Sequence, residues 1–160
     1  MKTHLVRILA LSAIAAAVGS AQQVDTTQAN ARRIGEGVPI VGIWDVAVTV
    51  VNCQSGLVLR NVRSVQMYQA DGAFSETTSL GTRGGSIGSW VHQQGQTYSA
   101  SYFFFRYNPD GTFASIAKAA NTITVSPDSN QFSVTATIQD YDANNNLIST
   151  GCVTQTAKRL

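Results

Sequence analysis

Residues 130–141, Asn-Gln-Phe-Ser-Val-Thr-Ala-Thr-Ile-Gln-Asp-Tyr, alternate in polarity almost without interruption. Phe132, Val134, Ala136 and Ile138 are apolar, and Gln131, Ser133, Thr135, Thr137 and Gln139 between them are polar. A period of two puts the first set on one face of a strand and the second on the other, so one face is buried and one is wet. Seven more β-rich runs surround this one, over 41–52, 60–69, 73–80, 87–93, 96–108, 112–126 and 147–157, and no stretch carries a 3.6-residue apolar repeat. Asp71-Gly72, Gly95, Pro109-Asp110-Gly111, Pro127-Asp128-Ser129-Asn130 and Asn144-Asn145-Asn146 separate runs and supply the positive φ or Asx hydrogen bonds of tight hairpins. The reading is all-β: a single antiparallel sheet of eight strands that closes as an up-and-down barrel.

Closure follows from the two ends of the pattern. In the first run Trp44, Val46, Val48 and Val50 take the inward face, which turns Asp45, Thr49 and Cys53 outward. Antiparallel pairing of Cys53 with Cys152 brings Arg159 within two residues of the position opposite Trp44, inside the diagonal reach of neighbouring side chains. Strand one therefore lies beside strand eight, and a Cys53–Cys152 disulfide clasps the seam from outside.

The start of the chain reads as an export signal over residues 1–21. Lys2, His4 and Arg7 precede an apolar run, Ile8–Val18, and Gly19, Ser20 and Ala21 provide a cleavage site. That run is well short of the roughly 20 residues of a membrane span. Residues 22–40 are polar and aperiodic, a flexible leader, and 41–160 form the barrel domain. Export places the protein in the periplasm or outside the cell, where a disulfide is the default state of two distant cysteines. The formal charge of +2, from 11 basic and 9 acidic residues, falls to zero once Lys2 and Arg7 leave with the signal. No basic cluster beyond Arg32-Arg33 and Lys158-Arg159 remains, which argues against nucleic acid or an anionic membrane as partner.

Gly42-Ile43-Trp44 opening strand one, with Arg159 near the chain end, resembles the lipocalin and wider calycin superfamily. The resemblance implies a calycin-like barrel in which the terminal arginine packs on the motif tryptophan, giving Gly42, Trp44 and Arg159 structural roles. Patterns such as Tyr107-Asn108-Pro109-Asp110-Gly111 also resemble small exported bacterial proteins of unassigned function. Barrel cyclases related to allene oxide cyclase and dirigent proteins are a second resemblance.

Catalytic and metal chemistry is poorly represented. His92 is the one histidine left after export, too few for a zinc site, and it has no recognisable triad partners. Asp140-x-Asp142-x-Asn144-x-Asn146 imitates the start of a calcium loop but has Gly151 where the bidentate Glu belongs, so it reads as turn chemistry. Gly81–Gly88 is glycine-rich without a following helix and reads as a mobile rim at the barrel mouth. No cofactor and no metal is called for. The aromatic residues are more telling: Tyr68, Phe74, Trp90, Tyr102 and Phe104, with Glu76, His92 and Arg106 as polar groups among them, are the expected lining of a pocket for a small hydrophobic or aromatic ligand. The same side chains could instead fill the barrel as core. Three functions follow: a ligand-binding barrel, favoured here over catalysis; a cyclase-type enzyme using Glu76 and Arg106; or a structural envelope protein with a packed interior. Oligomeric state and ligand identity are not legible.

Overall fold

The structure is a computed structural model that describes residues 38–160; the expected export signal over 1–21 and most of the expected leader over 22–40 lie outside the described residues. Eight strands follow in order: β1 Gly42–Val51, β2 Val58–Tyr68, β3 Ala73–Thr78, β4 Ser86–Gln94, β5 Thr97–Tyr107, β6 Phe113–Val125, β7 Gln131–Tyr141 and β8 Leu147–Arg159. Each pairs antiparallel with the next, and β8 returns to β1, so the sheet closes as an up-and-down barrel.

The seam register settles a choice of two residues. Trp44 stands opposite Arg159, and Val51 opposite Cys152. Cys53 therefore lies two residues beyond the position facing Cys152, not directly across from it. The disulfide forms on this diagonal, with the Cα atoms 5.2 Å apart. Cys53 is exposed and Cys152 partly so, which sets the bond on the outer wall. It is the chemistry of an oxidising, exported setting. Among the described residues no helix is long and apolar enough to cross a membrane.

Alternation decides the interior. In β7 Phe132, Val134 and Ala136 are buried, and in β1 Trp44, Val46 and Val48 are buried. Strand β5 is apolar on both faces; Tyr98, Ala100, Tyr102 and Phe104 point in, leaving Phe103 and Phe105 about half exposed outside, at 43% and 45%.

One end of the barrel is sealed. The Trp44 ring is fully buried, its Nε1–H donates to Ile40 O at 2.9 Å, and its face lies against Phe132 at 4.7 Å between centroids. Ile40, from the segment ahead of β1, is itself fully buried, so the packed part of the chain begins before the first strand. The Arg159 guanidinium stacks on Trp44 at 4.2 Å and donates to Val41 O and Ser129 O, both at 2.8 Å, and to Pro39 O. It thereby ties the entering chain, the β6–β7 hairpin and the chain end into one plug.

Glycine shapes the next layer. Gly88 pairs with Phe74 on one side and Tyr102 on the other. A Cβ there would sit 2.1 Å from Ser101 O, and without one the Phe74 and Tyr102 rings approach to 4.6 Å across it.

Candidate functional site

Three layers stack along the barrel axis above the Trp44 plug. The lowest is aromatic: Tyr68 meets Phe74, Trp90 and Phe132 edge-on at centroid distances of 5.0, 6.5 and 5.9 Å. These rings fill space and satisfy their polar handles internally. Trp90 Nε1–H donates to Gln69 O at 2.9 Å, and the Tyr68 hydroxyl donates to Gln66 Oε1 at 2.9 Å.

The second layer is polar and buried. Gln66 is fully enclosed, and its amide donates to Glu76 Oε1 at 3.0 Å and Gln155 Oε1 at 2.9 Å. The second Glu76 oxygen accepts from Ser86 Oγ at 2.8 Å and from Arg83 Nη2, which also reaches Ser86 Oγ at 2.8 Å. A guanidinium and two neutral donors thus engage both carboxylate oxygens of Glu76. Burial first, and then the Glu76 charge, push the Tyr102 hydroxyl well above its usual range; burial, Tyr102 and Glu76 do the same to Tyr68. Both phenols are neutral hydrogen-bonding groups at physiological pH.

The third layer is open. At the end where β1, β5 and β7 finish, a cavity of about 240 Å³ has apolar walls from Val48, Val62, Leu80, Phe104, Ile138 and Val153. Arg60, Arg83, Arg106 and Asp140 converge on it. Arg106 Nε donates to Asp140 Oδ1 at 2.5 Å, and Asp140 also accepts from Ser149 Oγ at 3.0 Å. That reach from β5 to β7 crosses β6, whose inward residues here, Ser115 and Ala117, are small. Arg83 lies over the Phe104 ring at 3.6 Å and Arg106 over it at 5.0 Å, so the cavity floor is a cationic, aromatic stack.

The eight residues expected as a pocket lining are thus distributed over three environments. Phe104 and Arg106 line the cavity. Tyr68, Phe74, Trp90 and Tyr102 are buried in ring-on-ring contact, and Glu76 is buried beneath Arg83. His92 shares the face of Trp90 and stands opposite Tyr98, whose ring it meets at 4.9 Å, but near the end of β4 it is exposed, and its ring bonds to Gly95 O at 2.8 Å across the hairpin.

Sequence reasoning missed Arg60, Arg83 and Asp140. Arg83 belongs to the glycine-rich segment, which does sit at the mouth but is tied to β5 by Gly84 N–H to Phe105 O and Tyr107 N–H to Thr82 O, both 2.9 Å. Asp140 belongs to the calcium-like run, where Asp142 proves to be the turn residue, accepting from the N–H groups of Asn144 at 2.9 Å and Asn146 at 2.8 Å. Parity could have found Asp140, which shares the inward face of Phe132 and Ile138, whereas Arg83 lies between β3 and β4 and carries no such signal.

Among the described residues no group of three or more potential ligands is placed to hold a metal ion. No family model matches the chain, and no curated protein matches its sequence.

Proposed function

We propose that this protein is an exported, calycin-like binding barrel that takes a small hydrophobic or aromatic molecule into the cavity at the mouth. The observation that carries the reading is the cavity itself, enclosed by aliphatic side chains and Phe104 with a few convergent polar groups. Concave, mainly apolar sites with a small number of placed polar groups are how proteins hold small ligands. At about 240 Å³ the space falls below the ~300–1,000 Å³ of drug-sized pockets, which suits a ligand of one ring or a short chain. Glu76, the acid–base group a cyclase reading would use, has both oxygens engaged by Gln66, Ser86 and Arg83, which favours binding over catalysis.

The test is filling the cavity. Purified protein is expected to raise the fluorescence of an environment-sensitive dye or to carry a small molecule in native mass spectrometry. Val62→Trp, which places a ring in the cavity, is expected to abolish both while unfolding as cooperatively as the parent. A parent protein silent in both assays, or a Val62→Trp protein that behaves like it, refutes the reading.

A further inference from the structure

The charges around the cavity do not cancel, and we infer that its ligand is a small organic monoanion whose acidic group lies between Arg83 and Arg60 while its apolar body rests on the aliphatic wall. This rests on the binding reading above and adds the chemical class.

Three guanidinium groups, of Arg60, Arg83 and Arg106, meet two carboxylates, of Asp140 and the underlying Glu76. One positive charge is left over. The other acids near the mouth do not supply it: Asp110 and Asp142 turn onto the backbone N–H groups of their own hairpins, Thr112 at 2.9 Å and Asn146 at 2.8 Å. Arg60 has no ion-pair partner among the described residues, although its side chain lines the cavity.

A second observation points the same way. The Arg83 side chain is only 9% exposed, yet its Nε–H is buried without any hydrogen-bond acceptor. Its Nη2 is used on Glu76 and Ser86, so the guanidinium is fixed in place with a donor unmatched. Nη1 has no acceptor among the described residues and is not one of the enclosed atoms, so it is the Arg83 donor that an anionic acceptor in the cavity meets in a charge-assisted bond. Arg106, which gives only Nε to Asp140, adds donors on the same side.

The experiment compares two probes of nearly identical shape, trans-cinnamate and cinnamamide, by calorimetric or NMR titration at neutral pH and low salt. Cinnamate is expected to bind about tenfold or more tightly than the amide, the scale of one charge-assisted hydrogen bond. In Arg60→Gln, at an exposed position, the preference for cinnamate over the amide should shrink to about threefold, with a cooperative urea transition like the parent's. Equal affinities, or an Arg60→Gln protein with the full preference, overturn the monoanion and leave the binding barrel standing. Binding of neither probe, in a protein that also fails the dye assay, removes both.

Discussion

Replacing Glu76 by Gln changes one oxygen to an amide nitrogen and should destabilise the barrel far beyond the size of the change. Glu76 is 5% exposed, and its Arg83 partner's side chain 9%. In the variant the remaining amide oxygen can still accept from Gln66, now at 3.0 Å, and the Ser86 hydroxyl can rotate to accept instead of donate. Arg83 cannot adjust, because a guanidinium has no acceptor role and its path is set by stacking on Phe104 at 3.6 Å. A buried cation then faces an amide N–H. Removing one partner of a buried ion pair costs about 3–5 kcal/mol. For a domain of this size that lowers Tm by about 10–20 °C. Urea unfolding followed by tryptophan fluorescence gives the free energy directly, with an unchanged m-value showing that the same structure unfolds. The double variant Glu76→Gln/Arg83→Met should recover about half or more of the loss, because it removes the unpaired charge along with its partner. A Glu76→Gln protein within about 1 kcal/mol of the parent, or a double variant that is weaker still, refutes the account of the polar layer as a paired, buried network.

Two further outcomes follow from the packing. Gly88→Ala should cost at least about 3 kcal/mol or prevent folding, since the new methyl meets backbone at 2.1 Å, whereas Gly81→Ala, with open space around it, should stay within about 0.5 kcal/mol; chemical denaturation of the pair checks this. Alkaline pH should unfold the barrel through its tyrosines. Burial holds Tyr68 and Tyr102 above their ordinary value of 10.0, so above pH 10 the unfolded chain releases protons that the folded one keeps, and stability falls with pH by about 1.4 kcal/mol per unit for each. Below pH 10 their contribution is fully present. Urea midpoints from pH 9 to 11 should fall less steeply in Tyr68→Phe than in the parent, and parallel slopes would falsify the assignment.

Much of the fold was legible because closure of a barrel is a one-dimensional property. Period-two alternation in Phe132–Ile138 and Trp44–Val50 gives strands, turn chemistry gives hairpins, and the positions of Cys53, Cys152, Trp44 and Arg159 bring the first strand to the last. Those signals lie in the order of residues along the chain. What they left open was a slip of two residues at the seam, because parity is identical in both registers and only the plug around Arg159 distinguishes them.

Depth along the barrel axis was not legible. Alternation says whether a side chain points inward and nothing about which layer it enters, so Phe74 and Phe104 read alike although one packs against Tyr68 and the other floors a cavity. Strand stagger and tilt set that depth, and they depend on all eight registers together. The arginines depended on it too. Arg83 looked like part of a glycine-rich rim until two backbone bonds to β5 turned its side chain onto Glu76, and Arg106 meets Asp140 only because β6 offers Ser115 and Ala117 in between. The sequence by itself determined a closed, disulfide-clasped β-barrel. Only the tertiary structure decided where its interior stays open and which charges face the opening, because both arise from side chains far apart in the chain and adjacent only once the sheet has closed.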